Sequence, residues 1–338
     1  MARGREEGVT VTAGKVVVTG VRILAVCLIF ALAFAIGGAL SGLTKIGQQG
    51  PPSKTLQEAP SAQQPASSVP ETPPKPEAPQ APEGLLRTFL TFSVCVGVVL
   101  SYLILRSSWH GWVLAGAIGV GMYGIATVAA QIESVVFLSD KLPKGMIRAI
   151  FLQGAIAAVL FAPLAVLVLG KWRSPGLASP APTRMRAGSA AWRLAIIVVA
   201  FVFLYMFFGY YVAWQNPAVR QYYGGPEYAS FFAALKANWM HNRWIYPLQV
   251  LRALLYIACL YPLVRMLRVA RWETTLAMAL FLSSWTTVLF LPNPMMPASV
   301  AHSHFWETLG FSLVFGALAG WLVSTPRAAD VGSVAAAS

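Results

Sequence analysis

Few side chains in this chain could do chemistry, and those few sit in apolar surroundings. Gln131 and Glu133 lie in "QIESVVF", Gln249 and Arg252 lie three residues apart in another apolar run, and "AHSHFWETLGF" carries His302, His304 and Glu307. A carboxylate, a guanidinium and a His/Glu pair can bind a charged solute, move a proton or ligate a metal. His304 and Glu307 are three residues apart and share a face on a helix, a spacing that supplies metal ligands in helical bundles. A catalytic zinc site wants three protein ligands and an open position. His302, His304 and Glu307 are the metal candidates here, with Glu133 or His241 to complete the set. There is no HExxH, and two ligand types at one spacing do not specify a cofactor. The competing reading is a polar collar at a helix start, where the helix dipole favours an acidic residue by about 0.3–1 kcal/mol. We take the collar as the expectation.

The elements that must hold these residues are membrane helices. Of the 338 residues, 57% are hydrophobic and only 11% charged. Soluble domains carry about 25% charged residues, so this chain cannot cover a water-facing surface. Apolar runs of roughly 20 residues recur, each long enough to cross a bilayer as a helix, and the alternating ten-residue segments of a barrel are absent. The expected fold is all-α, a polytopic bundle of about eight transmembrane helices. The spans read as 19–43, 87–106, 111–138, 146–170, 191–213, 247–267, 273–291 and 303–324. The first is expected to be a retained helix rather than a cleaved signal, with Gly38 and Gly42 as a GxxxG packing pair. Small residues at Gly111, Ala115 and Gly119, and again at Ala117 and Gly121, place span 3 centrally in the bundle.

The segments between spans divide by composition. Residues 1–18 form a basic amino end, 44–85 a Pro-rich linker, 86–170 carry spans 2 to 4, and 171–190 form a basic loop. Span 5 takes 191–213, residues 214–246 a loop with one interfacial amphipathic helix, 247–324 spans 6 to 8, and 325–338 a tail. Ten of the 23 prolines fall between Pro51 and Pro82, with no aromatic from Phe34 to Phe89. Such a stretch cannot bury a core and reads as an extended, disordered tether. It is also the place where a protein partner would attach. The loop helix reads from Pro226, with Tyr228, Phe231, Phe232, Leu235 and Trp239 on one face.

Net charge is +13, which in a soluble protein suggests nucleic acid. Here the basic residues gather in loops, as the positive-inside rule requires, so the expected partner is the lipid bilayer and not nucleic acid. Lys171, Arg173, Arg184, Arg186 and Arg193 mark a cytoplasmic loop, and alternation puts both termini in the cytoplasm of a cell whose inner membrane holds the chain. Cys27, Cys95 and Cys259 all fall inside apolar spans, without metal-type spacing.

Projected along the spans, Gln131, Glu133, Gln153, Gln249, Arg252, Ser283, Ser284, Thr286, Thr287, His302, His304 and Glu307 all come to the outer leaflet. An ionisable group inside a span costs about 2.5–3.5 kcal/mol at the helix centre and faces protein or water. Two readings result: an outward-facing vestibule for a small solute or ion, or a carboxylate–guanidinium lock between helices. The expected function is binding or translocation of a small solute or ion. Glu133, Arg252, Glu307, His304, Gln131 and Gln249 are its expected contact residues. The rivals are an enzyme at the outer leaflet, metal-assisted on a lipid-linked or peptide substrate, and a non-catalytic subunit of a membrane complex. The run "GFSLVFGALAG" faintly resembles the serine-bearing helix of rhomboid intramembrane proteases. That family places a glycine directly after the serine and its histidine on a later helix; here Leu313 follows Ser312 and no later span exists, so the resemblance is not carried further.

Overall fold

The computed structural model describes residues 3–47, 82–137, 142–173, 187–293 and 296–324. The greater part of the Pro-rich linker and of the basic loop, and the tail after Ser324, lie outside these residues. Among them the chain is helical throughout and forms no strand. Eight helices are long and apolar enough to cross a membrane: Lys15–Ser41, Gly84–Leu105, Gly111–Val136, Met146–Val168, Gly188–Ala213, Ile245–Met266, Arg271–Phe290 and Ala298–Val323. Numbered in chain order, they are spans 1 to 8. The chain is a multi-pass α-helical membrane protein.

The spans close into a ring. Span 1 packs on span 2, and the order continues through spans 7, 8, 5, 6, 3 and 4 back to span 1. Every neighbouring pair joins an odd-numbered to an even-numbered span. Lipid gives apolar helices no hydrophobic reason to associate, so close packing through small residues has to supply the attraction. Span 8 shows how. A Cβ on Gly316 would lie 2.7 Å from the Cα of Ala279, and one on Gly320 would lie 3.0 Å from the Cα of Thr275. Gly316 and Gly320 of "GFSLVFGALAG" are therefore the seam against span 7, while Gly310 faces Phe208 of span 5. Span 3 meets span 6 likewise, with Gly121 against Leu263 and Gly124 against Cys259.

The expected pair in span 1 is only half right. Gly37 and Gly38 do face span 4, where a Cβ on Gly37 would meet the Gln153 carbonyl oxygen at 2.7 Å. Gly42 has φ of +76° and open space around its Cβ position. It ends the helix in the left-handed conformation that glycine adopts without strain.

The long loop after span 5 also differs from expectation. It holds two short helices, Pro217–Tyr223 and Phe231–His241, and residues 224–230 are not helical. The caps explain the division. The Asn216 side chain accepts from the Ala218 N–H at 2.9 Å with Pro217 next in the chain, and Gly224 stops the turn at φ 71°. The Ser230 hydroxyl then accepts from the Ala233 N–H at 3.1 Å and starts the second helix. Tyr228 thus precedes that helix instead of lying on its face. Phe231 packs against Tyr210 and Tyr211, while Phe232 and Trp239 are exposed.

Two kinds of interior result. Spans 1, 2, 4 and 7 share an aromatic core, in which the Phe30 ring lies 5.4 Å from Phe92, 5.5 Å from Phe161 and 5.8 Å from Trp285. Spans 3, 5, 6 and 8 hold the buried ions. At the end opposite those ions, arginines satisfy the last carbonyls of span 8, which no helix can bond internally. Arg193 donates to the Leu322 carbonyl at 2.9 Å, and Arg271 donates to that of Trp321 at 2.8 Å while lying 3.8 Å over the Trp321 ring.

The seam predicts a stability loss. Gly316→Val puts side-chain carbon where the backbone of span 7 now lies, and overpacking of this kind costs about 1–3 kcal/mol. The variant should melt below the wild type in detergent, whereas Gly116→Val, at a position open to its surroundings, should not. Equal melting of the two would remove the seam.

Candidate functional site

Arg252 sits two turns into span 6 and is only 8% exposed. Burying a guanidinium in an apolar bundle is tolerable only when its donors and its charge are both answered. Each need is met by a different neighbour. Nη1 lies 2.8 Å from Oε1 of Glu133 on span 3 and donates to Oε1 of Gln249 at 2.8 Å. Nε donates to the Ala129 carbonyl at 3.0 Å. The Gln249 amide, fully buried, donates back to Oε1 of Glu133 at 2.6 Å. Gln249 and Arg252 are three residues apart and share a helix face, so span 6 presents one amide–guanidinium unit to a single carboxylate. The rings of Tyr205 and Phe201 on span 5 lie 5.7 and 5.9 Å from the guanidinium carbon, an arrangement that favours a cation.

The Ala129 carbonyl stands at the end of a π-helical turn. Residues Gly124–Ala129 form that turn in span 3. A second π turn, Gly209–Ala213, ends span 5. Such insertions gather at functional sites, and each of these adjoins one of the ionic groups.

The second group is on span 8. His304 Nδ1 lies 2.6 Å from Oε2 of Glu307, and its Nε2 lies 3.1 Å from the Tyr223 hydroxyl of the loop helix. The Asn216 amide donates to the Ser303 hydroxyl at 2.7 Å beside it, so the loop is fastened to the start of span 8 at two points. Glu307 reaches span 5: a Cβ on Gly209 would lie 3.5 Å from its Oε1. One turn earlier on that helix, Tyr205 lies close enough to both carboxylates to feel their charge. Arg252 likewise feels Glu307 as well as Glu133. The two groups are one electrostatic unit.

The expected residues therefore separate into three sets. Glu133, Gln249 and Arg252 meet directly. His304 and Glu307 pair with each other a short distance away, and Arg252 makes its ion pair with Glu133. Gln131 takes part in none of these bonds. Three hydroxyls of span 7 turn to their own backbone, Ser284 to the Phe281 carbonyl, Thr286 to Ser283 and Thr287 to Ser284, while the buried Ser283 hydroxyl has no hydrogen-bond partner among the described residues. Gln153 reaches the Phe34 carbonyl and so serves the contact with span 1. His302 is exposed and accepts from the Trp306 indole at 3.1 Å. Both ring nitrogens of His304 are engaged by protein groups, and among the described residues no three His, Cys, Asp or Glu side chains come together as metal ligands.

Sequence reasoning missed three phenols. Tyr256 lies four residues along the same helix from Arg252, close enough to feel its charge, a spacing visible in the sequence. Tyr205 carried no signal among the aromatics of span 5. Tyr223 lies outside the spans, where burial pushes its hydroxyl well above the usual phenol range, so it stays a neutral hydrogen-bond partner of His304 that can give or accept as the imidazole requires. Comparison with protein-family models, curated proteins and solved structures finds no match to this chain.

The geometry makes Arg252 the coupled partner of Glu133. Arg252→Met strands a partly buried carboxylate and should cost about 3–5 kcal/mol, the range for breaking a buried pair. The side chain of Glu133 is 29% exposed, which favours the lower end. Glu133→Gln in the same protein should restore much of the loss, and additive losses in a double-mutant cycle of melting temperatures would deny the coupling.

Proposed function

We propose that this protein lies in the cytoplasmic membrane with both termini in the cytoplasm. Its Glu133–Arg252 and His304–Glu307 unit then faces outward and binds a small solute or ion for translocation. The observation that carries this reading is the convergence of Glu133, Tyr205, Arg252, His304 and Glu307 from four spans at one end of the bundle. A lock alone needs only Arg252 and Glu133. The additional His/Glu pair, the three phenols and two π turns at the same depth are more than fastening requires, and they suit a ligand that rearranges the pair. Orientation rests on the basic residues Arg106, Lys171, Arg193, Arg265 and Arg271 at the opposite end, which the positive-inside rule assigns to the cytoplasm. The exposed Phe232 and Trp239 of the loop helix suit the headgroup layer.

Two measurements test this. A cysteine introduced at Ser68 should react with an impermeant thiol reagent on intact cells, and one at Ser179 should not. The opposite pattern reverses the orientation. In detergent, a panel of small cations, anions and zwitterions should contain members that raise the melting temperature in wild type and fail to do so in Arg252→Lys. Ligand at about 100 times its Kd contributes about 2.7 kcal/mol. Silence across the panel, with stoichiometric co-purification of a second protein, would favour the subunit reading.

A further inference from the structure

The formal charges of the site do not balance. Facing one another are Glu133 from span 3, Arg252 from span 6, and Glu307 and His304 from span 8. Around them stand the neutral phenols of Tyr205, Tyr256 and Tyr223. His304 feels both carboxylates, Glu307 through a 2.6 Å contact and Glu133 at longer range. His302 points away to Trp306. Two carboxylates against one guanidinium leave the unit one negative charge when His304 is neutral and none when it carries a proton. The side chains of His304 and Glu307 are only 17% and 15% exposed, so water does little to offset an unmatched charge there, and a site at this depth favours neutrality.

We infer that the site takes a small monovalent cation in exchange for the proton on His304. The inference rests on the binding reading above and names its ligand class. Glu307, close to Gly209, with the tyrosine rings beside it, offers a carboxylate and aromatic faces together, and Arg252 already shows that the rings here accommodate a cation. That combination suits an alkylammonium, since aromatic faces attract organic cations. The exchange balances: the cation enters as one proton leaves the imidazole for water, and the net charge of the site stays at zero.

The test uses wild-type protein in detergent, with methylammonium, sodium and potassium chlorides as probes at one matched ionic strength, a shift equal for all three counting as ionic strength alone. Methylammonium should raise the melting temperature, and its apparent Kd should weaken about tenfold per pH unit once the pH is low enough to protonate His304, as competition with one proton requires. In weak buffer near pH 6, binding should release about one proton per protein, read by an indicator dye. His304→Gln should lose both the release and the pH slope, and Glu307→Gln should lose the stabilisation. Stabilisation by sodium or potassium and not methylammonium would move the ligand to the alkali ions and leave the exchange standing. A pH-independent Kd in wild type, or release that persists in His304→Gln, would overturn it. Stabilisation by an anion alone would also overturn it while sparing the binding site. A panel without any ligand would remove both.

Discussion

Everything at the polar end of this bundle depends on how one guanidinium is kept in a place that would otherwise exclude it. Arg252 is buried among spans 3, 5 and 6, and each of its needs recruits a different element. The charge takes Glu133, the geometry of the fork takes Gln249, and Nε takes the Ala129 carbonyl at the end of a π turn. None of these partners suffices alone. A carboxylate without Gln249 would leave donors unanswered, and without the Ala129 carbonyl Nε would lose its acceptor. The arginine thus fixes the register of span 3 against span 6, and Gly121 and Gly124 allow the close approach that this register needs.

That dependence also explains what the sequence made legible. The number and placement of the spans follow from length and hydropathy, because a bilayer imposes about 20 apolar residues on each crossing helix. That Gln249 and Arg252 act together follows from their spacing. Which carboxylate answers the arginine does not, since Glu133 and Glu307 lie at similar depth on different helices. Only the ring order, with span 3 directly beside span 6, selects Glu133. Tyr205 and Tyr223 were hidden for a related reason. A tyrosine in an aromatic-rich membrane segment reads as packing or interface until its neighbours are known. The span 7 hydroxyls mislead in the opposite direction. Serine and threonine near a helix end look like a polar lining, but each can satisfy itself on the preceding turn, as Ser284, Thr286 and Thr287 do here.

The two interiors have different mechanical characters. The half built from spans 1, 2, 4 and 7 is held by ring contacts around Phe30 and by glycine seams. Such packing is bistable at best, because a dense core does not deform gradually. The half built from spans 3, 5, 6 and 8 is held by ion pairs and hydrogen bonds, which a competing ligand can exchange one for one. Exchange of hydrogen-bond partners therefore belongs to the half that contains spans 3 and 5, each of which carries a π turn.

The site is open chemistry at one end and closed packing at the other. Beyond Arg252, span 6 continues with Cys259, Leu260 and Leu263, and span 8 with Phe315 and Ala319, all buried. Towards the basic end, the buried hydroxyls of Ser101 and Thr274 bond backward within their own helices, to the Gly97 and Ala270 carbonyls. At the far end, Arg193 and Arg271 tie the close of span 8 to spans 5 and 7. A solute that reached Glu133 and Glu307 would meet an apolar layer, not a second polar station. Passage through the bundle then requires that layer to part, and the seam of Gly316 and Gly320 against span 7 opposes separation of spans 7 and 8. The weaker boundary is between spans 5 and 6, where the Phe201 and Tyr256 rings meet at a tilt with centres 5.3 Å apart and the π turn of span 5 stands directly above. Any route from the site to the basic end would run along that boundary, and Phe201, whose ring also lies 5.9 Å from the Arg252 guanidinium carbon, joins the ionic unit to it.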